Sequence, residues 1–213
     1  MNNELFKITH EIKNPLTVMK GYISLMDGNK EKYDKYIPLL SKSIDHAISI
    51  LDDFSSLGKM NMKFEIMDVN CLIEDIIESY KDIFKSRNIN FIYESKDKEI
   101  FIKGDYKRLN EVLINIIKNA EESLTNINPC ISISLKSFRK KVIICVKDNG
   151  IGMDMETMDK ITTPFFTTKN YGTGLGTYLS KKIVDAHKGK LIYESTKGVG
   201  TSVYIKLDQY DLV

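Results

Sequence analysis

What this chain lacks narrows its class before any motif is read. Its longest apolar runs, such as Val142 to Val146, fall far short of the ~20 residues that a membrane-spanning helix requires, and no signal-peptide pattern opens it, so no membrane segment is expected. Cysteine is scarce. Cys71, Cys130 and Cys145 are far apart and set in apolar runs, which argues against a disulfide frame or a zinc site and reads as reduced core thiols in a cytoplasmic protein. Charge of one sign is also missing: the formal net charge of +2 comes from well-mixed Lys, Arg, Asp and Glu, with no basic stripe to track phosphates, so nucleic-acid binding is not expected. There is no internal repeat and no low-complexity run. With 42% hydrophobic and 28% charged residues over 213 positions, the chain is an ordinary globular one, long enough for one large domain or two small ones.

The first stretch with chemical content is His10-Glu11-Ile12-Lys13-Asn14-Pro15-Leu16. Leu5, Ile8, Ile12, Leu16, Met19, Ile23 and Met26 recur every three or four positions and mark one face of a helix from about Asn3 to Met26. His10 is off that face, roughly 160° from Ile12, while Asn14 returns to within about 40° of it. A nucleophilic histidine needs this outward placement, although a lone histidine there is also what a plain solvated surface provides. Pro15 predicts a kink just after His10. Asp27-Gly28-Asn29 is a turn, and a second helix follows on Ile37, Leu40, Ile44, Ala47, Leu51 and Phe54, with Ile48 and Leu57 beside the seam and His46 near it as a packing or surface residue. Two such helices form a hairpin whose apolar stripes are only half covered. Pairing with a second copy into a four-helix bundle, and hence a homodimer, follows from the pattern.

Gly58 to Lys63 reads as a hinge, placing a boundary between residues 1–62 and 63–213. Beyond it the spacing predicts a strand over 64–69, a helix capped by Asn70, two short strands over 90–94 and 99–103, and a helix capped by Asp105. Paired strands over 131–137 and 142–146, a helix over 175–187 and strands over 190–195 and 201–207 complete an α/β sandwich with a mostly antiparallel sheet. The fold class is therefore α+β, a helical hairpin followed by that sandwich.

Four elements of the second region suit a nucleotide. Asn115 and Asn119 stand one turn apart on one helix face, and their carbonyl oxygens suit a Mg2+ ion that keeps most of its water and is completed by phosphates. Asp148-Asn149-Gly150-Ile151-Gly152 follows a buried strand, so Asp148 can accept from an adenine amino group while Gly150 and Gly152 let the backbone come close to the base. Gly172-Thr173-Gly174-Leu175-Gly176 precedes a helix and exposes backbone N–H groups where the helix dipole favours phosphate. The acidic residue of a Rossmann fingerprint is absent at the required place, so that reading fails. Gly198-Val199-Gly200-Thr201 offers a turn and a hydroxyl. Between the second and third lies Met153 to Tyr171, long enough for a lid, with Phe165 and Phe166 to pack and Thr168 and Lys169 to touch phosphate. Each alone has a plainer reading: a solvated amide pair, a strand-to-loop turn.

In this order, the Asn pair, D-x-G-x-G, Phe-Phe-Thr-Thr-Lys and G-T-G-L-G, preceded by His10, resemble the sensor histidine kinase family of two-component systems. The resemblance covers nearly the whole chain: a dimerisation and phosphotransfer hairpin, then an ATP-binding domain of the gyrase, Hsp90 and histidine kinase type. It implies autophosphorylation of His10 from ATP with Mg2+ at Asn119, Asn115 in support, and Glu11 holding the imidazole tautomer. It further implies that Asp148 reads adenine with the Thr201 hydroxyl behind it, and that the phosphoryl group passes to an aspartate on a response regulator receiver domain. The matching H-E-x-x-N pattern makes Asn14 a candidate for orienting water in a phosphatase reaction on that regulator. A chain that is chiefly a regulator phosphatase and a non-kinase ATP-binding dimer clamp are the rivals. Two positions depart from the pattern: Glu122 stands where relatives often hold a basic residue, leaving Lys118 or Lys169 to supply positive charge, and Thr177 where Leu is frequent. Only nine residues precede His10, so a cut fragment and a kinase taking its input from elsewhere both stay open.

Overall fold

The computed structural model describes residues 2–26, 28, 30–58, 61–95, 97–125, 127–169 and 172–211. They fall into two compact units, one of residues 1–60 with 163–176, the other of residues 61–162 with 177–213.

The first unit is built on α1 (Asn2–Met26) and α2 (Lys30–Gly58). Of the expected turn, Gly28 adopts φ 72°, the left-handed geometry for which glycine carries no steric cost, while Asp27 and Asn29 lie outside the described residues. α1 continues through Pro15, and α2 through Pro38. A proline has no N–H, so Pro15 leaves the Glu11 carbonyl without its helical donor one residue after His10. Along α2 two apolar stripes diverge. Ser43, Ala47 and Ile50 are buried, whereas Ile37, Ile44, Ile48 and Leu51 are each about half exposed (42–55%), as are Leu16, Ile23 and Leu25 on α1. The side chains of Leu5, Ile8 and Leu57 lie outside the described set.

The second unit is a sandwich. Its five-stranded sheet has the order β2-β4-β5-β7-β6, with β2 (Asn90–Ser95), β4 (Cys130–Phe138), β5 (Lys141–Asp148), β6 (Lys190–Thr196) and β7 (Gly200–Asp208). All pairs are antiparallel except β2 with β4. β1 (Glu65–Asp68) and β3 (Phe101–Gly104) form a separate antiparallel pair, so the two strands either side of the charged turn near residue 97 do not pair with each other. The alternation in β4 and β5 sends Ile131, Ile133, Leu135, Val142, Ile144 and Val146 inward. There they meet the apolar faces of α3 (Val69–Ser86) and α4 (Tyr106–Ser123), with Ile183 and Val184 of α6 (Gly176–Ala186), in one core. A short helix, α5 (Met155–Lys160), interrupts the region expected to be loop; six residues give too little periodicity to announce it.

Two local expectations are corrected. The cap of α3 is Asp68 rather than Asn70: the Asp68 carboxylate accepts from the Asn70 amide at 2.9 Å, which starts the helix at Val69. Cys71 is exposed, because the buried face of α3 is set by Leu72, Ile73 and Ile76 and the thiol lies off it; Cys130 and Cys145 are half-buried, and all three are free.

Asp105 caps α4 as expected and does more. Its carboxylate accepts from the Arg108 amide at 3.0 Å and from the Lys63 amide at 2.7 Å, while its own N–H donates to His187 Nε2 at 2.9 Å. His187 Nδ1 lies 2.7 Å from the Ile183 carbonyl, so that nitrogen carries the proton and Nε2 accepts. Phe64 packs on the same imidazole, with ring centroids 5.0 Å apart. The segment entering the second unit is thus fastened to the start of α4 and the end of α6. Burial pushes the Asp105 carboxyl up, but the Lys63 and Arg108 amides, with the Arg108 guanidinium, outweigh it and hold the group below the ordinary carboxylate range. A depressed folded-state pKa contributes stability that is present above the unfolded value, about 3.9, and is lost as pH falls through the folded value. Asp105→Ala is expected to cost about 1–2 kcal/mol in urea unfolding at neutral pH. That gap to the parent should narrow as the pH drops below about 4.

Candidate nucleotide site

In the second unit the candidate residues gather where β5 ends. Asp148 is 5% exposed, and three donors converge on its Oδ1: the Gly150 amide at 2.8 Å, the Ser123 hydroxyl at 3.1 Å and the Thr201 amide at 3.3 Å. The single Ser123 proton is shared with the Ala120 carbonyl, 2.8 Å away. Burial raises the Asp148 carboxyl above its usual range, and the Gly150, Ser123 and Thr201 donors only partly offset it. The arrangement leaves Oδ2 as the oxygen to which no described residue donates, on a carboxylate already oriented by its neighbours.

The loop after Asp148 is shaped by the protein's own backbone. A Cβ on Gly150 would lie 2.1 Å from Ser123 Oγ and 2.5 Å from the Ser123 carbonyl, which also accepts from the Ile151 amide at 2.9 Å. Gly152, at φ 60°, would put a Cβ 2.1 Å from the Thr196 carbonyl. These glycines therefore answer to packing against the end of α4 and the turn after β6, a nearer cause than approach to a base. Asn149 is exposed and its amide ties the loop to the segment that leads into β4: Oδ1 accepts from the Cys130 amide and Nδ2 donates to the Asn128 carbonyl, both at 2.8 Å. The Thr201 hydroxyl pairs with Ser195 Oγ at 2.9 Å, while the backbone amide of Thr201 donates to the Asp148 carboxylate. Ser195 also donates to the Gly200 carbonyl and accepts from the Met153 amide.

One turn and two turns before Ser123, α4 carries Asn119 and Asn115, both half-buried. Asn115 Nδ2 donates to Ser180 Oγ at 2.9 Å, which leaves its carbonyl oxygen as the end available to a ligand. Among the described residues no group of three His, Cys, Asp or Glu side chains could hold a metal ion. An amide oxygen completed by water and phosphate fits Mg2+, a hard cation that dehydrates reluctantly, so the donor set present suits that ion. Lys118 and Glu122 are exposed. Thr177, the departure from Leu, lies beside Tyr193, whose phenol burial pushes well above its ordinary range with the Thr177 hydroxyl offsetting part of the effect.

The first unit holds the remaining candidates. His10 and Asn14 are exposed on α1, with Glu11 half-buried. The segment 163–176 folds back on itself: the Phe165 amide donates to the Gly174 carbonyl at 2.9 Å, the Lys169 amide to Thr167 Oγ1 at 3.0 Å and the Gly172 amide to the Lys169 carbonyl at 3.3 Å. Gly174, at φ 64°, is obligatory, since a Cβ would fall 2.4 Å from the Phe165 carbonyl carbon. Thr168 and Lys169 are exposed, Phe165 and Phe166 half-buried, Gly172 and Gly176 half-buried and Leu175 fully buried; Asn170 and Tyr171 lie outside the described residues. Thr173 donates to Asp53 Oδ2 of α2 at 2.6 Å and accepts from the Leu175 amide. Sequence reasoning missed Ser123, Ser180, Ser195 and Asp53. Ser123 had a signal, standing one turn after Asn119; the others had none, because each partner is five or more residues away along the chain.

Residues 104–211 match the family described as Histidine kinase-, DNA gyrase B-, and HSP90-like ATPase, and residues 2–62 match the His Kinase A (phospho-acceptor) domain. The chain belongs to the sensor histidine kinase family. It is 34% identical over 203 residues to Sporulation kinase E of Bacillus subtilis, covering 94% of this chain and 27% of that protein. With Sporulation kinase B of the same organism the identity is 30%, over 94% of this chain and 48% of the relative. Among solved structures, the catalytic domain of histidine kinase ThkA matches at 32% identity and a TM-score of 0.64 over 70% of this chain and 97% of that one. ThkA in complex with the response regulator protein TrrA matches at 27% identity and a TM-score of 0.82 over 98% and 61%. The histidine kinase chain described here spans 27–52% of the length of the curated relatives it matches. None of its helices is long and apolar enough to cross a membrane, among the described residues.

The raised pKa of Asp148 has a sign that can be checked. A carboxyl whose folded value lies above the unfolded one, about 3.9, contributes stability in full below that value and loses it as pH rises through the folded value. The nucleotide-free Asp148→Asn protein is therefore expected to match the parent near pH 4 and to melt at higher temperature than the parent near pH 8. Calorimetry across that range decides it, and a melting difference independent of pH would contradict the assigned burial.

Proposed function

We propose that this chain transfers the γ-phosphoryl group of ATP to His10 and from there to an aspartate on a response regulator receiver domain. The observation that carries the reading is the pairing, in one chain of this family, of an exposed histidine followed by a glutamate on a helix with a buried, donor-oriented aspartate at the end of a sheet strand. Boundaries near residue 62 separate a phosphotransfer hairpin, 1–62, from an ATP-binding catalytic domain, 63–213.

In the binding step, Asp148 Oδ2 accepts from the exocyclic amine of adenine while Oδ1 stays engaged with Gly150, Ser123 and Thr201. Gly150 and Gly152 hold the loop in place, and Asn115 and Asn119 supply amide oxygens at the phosphate end; Thr168, Lys169 and the amides of Gly172, Gly174, Leu175 and Gly176 are a separate stretch whose chemistry suits phosphate. Mg2+ on Asn119 supplies charge neutralisation to the phosphates when bound. In the transfer step a lone pair of the His10 imidazole forms the P–N bond as the bond to the ADP oxygen breaks, and the Glu11 carboxylate takes the proton of the other ring nitrogen as charge develops. The P–N bond then breaks as a receiver carboxylate forms a P–O bond. Loss of the Glu11 carbonyl's helical donor at Pro15 favours local opening of the helix next to the reacting residue. The exposed stripe Ile37, Ile44, Ile48 and Leu51 supports homodimerisation, because a second copy of the same stripe covers it in a four-helix bundle. The use of ATP and the three free cysteines support a cytoplasmic setting for the reaction.

Two outcomes test the assignment. His10→Gln is expected to abolish incorporation of γ-labelled phosphate, with nucleotide affinity within about twofold of the parent, since His10 is exposed on α1 and is not among the residues assigned to nucleotide binding. Retained acid-labile label would sink it. Asn14 supports a second activity, removal of phosphate from the regulator: it is exposed one turn after His10, and an amide aligns water without being a nucleophile. Asn14→Ala is expected to slow loss of label from purified phosphorylated regulator by about tenfold or more while autophosphorylation changes little; equal rates would leave the kinase reaction alone.

A further inference from the structure

We propose that Ser180 is a positioning residue for the phosphate and metal end of the nucleotide site, fixing through its hydroxyl which end of the Asn115 amide meets the ligand. The proposal rests on the reading of Asn115 and Asn119 as residues of that site.

The face of α6 on which Ser180 sits is otherwise aliphatic. Leu179, Ile183 and Val184 are buried with it, and Ser180 itself is 2% exposed. A hydroxyl in such a place is unfavourable relative to an aliphatic side chain of similar size unless it is hydrogen-bonded. Its recorded partner is Asn115 Nδ2, 2.9 Å away, on α4 and 65 positions distant in sequence. A hydroxyl can accept from an amide NH2 or donate to an amide oxygen; here it accepts, and that direction of the bond is what orients the amide. The two ends of a primary amide are nearly isosteric but opposite in function: the carbonyl accepts and ligates cations, the NH2 donates and repels them. With Nδ2 committed to Ser180, the amide presents oxygen on its other side. Were position 180 aliphatic, both rotamers would be open, and the one presenting NH2 would oppose a cation and its water shell.

Neighbouring groups make the bond specific. Asn119, one turn on, stands on the same helix face as Asn115, so a hydrated cation held by one amide oxygen and phosphate meets the other at close range. α6 begins at Gly176, at the end of the glycine-rich segment, so the helix that carries Ser180 is the one whose N-terminus carries the family's phosphate motif. Ser180 touches neither phosphate nor metal in this scheme. It acts through Asn115, as outer-shell partners of ligands do.

The test compares Ser180→Val, Ser180→Ala and Ser180→Thr with the parent and with Asn119→Ala, measuring ADP affinity by calorimetry in Mg2+ and again in a chelator, alongside the melting temperature without nucleotide. The expected result is a loss of about tenfold in the Mg2+-dependent part of the affinity for the Val and Ala proteins, restored by Thr, which keeps the hydroxyl. In chelator the variants should bind as the parent does. A purely structural serine would move the melting temperature and leave the ratio of the two affinities alone. That outcome in both Val and Ala, with Asn119→Ala still lowering the ratio, overturns the proposal and spares the site. A ratio unchanged in Asn119→Ala as well overturns both.

Discussion

A carboxylate that folding removes from water has to be solvated by the protein, and the second unit is arranged around that need at Asp148. The β5–β7 register sets Asp148 opposite Thr201, which brings the Thr201 amide to Oδ1. Gly200, at φ 134°, is required in the same place: a Cβ there would lie 2.1 Å from the Asp148 carbonyl, so any other residue would prise the two strands apart where the carboxylate needs them together. The end of α4 contributes the Ser123 hydroxyl and, through the Ser123 carbonyl, a fixed position for Ile151. Sheet register, helix length and loop glycines are thus coupled through one side chain. Burial still raises its pKa, because three donors on one oxygen only partly replace water.

The helical hairpin has the opposite problem, since too much of its apolar surface faces out. The buried stripe Ser43, Ala47 and Ile50 is spaced four and three, as a helix pair requires, and Ala47 is small enough to let the helices approach. Ile37, Ile44, Ile48 and Leu51 repeat the same spacing about one residue round the helix and stay half exposed. At roughly 25 cal/mol per Å2, covering four such residues on each of two chains outweighs the loss of freedom on association only if they close together, which is the geometry of a bundle rather than of scattered contacts.

Much of this was legible beforehand because it rests on periodicity. The helices α1 to α4 and α6, the β4–β5 pair and the Asp105 cap follow from spacing and from turn chemistry that one stretch of chain contains. What was not legible depends on partners that spacing does not name. The parallel contact of β2 with β4 needs knowledge of which strand crosses over; the exposure of Cys71 turns on a helix phase set by Asp68, two residues before the expected cap. The candidate site divides in the same way. Asp148, Asn115 and Asn119 stand out as residue types in a pattern, but that the Thr201 amide meets Asp148 while its hydroxyl pairs with Ser195 does not. Gly150 and Gly152 were readable as glycines the backbone demands, though the body they approach is the chain itself.

The segment 163–176 shows how far sequence order and compactness can part. It lies between strands of the sheet domain, yet its compact unit is that of the hairpin, and Thr173 is bound to Asp53 of α2. Its internal bonds explain how a stretch without helix or strand keeps a definite form. Phe165 at φ 67° is in a region that costs a bulky residue of order 1 kcal/mol or more, and Gly174 takes the matching left-handed position so that the two backbones can touch. The strain is offset by the bond between them and by burial of part of two phenylalanine rings. A segment held by turn bonds rather than by a strand ladder has a low free energy of local opening compared with the sheet core. The glycine-rich segment is therefore less costly to rearrange than the sheet core, and one of its side chains, Thr173, is a hydrogen-bond partner of the helix pair that carries His10.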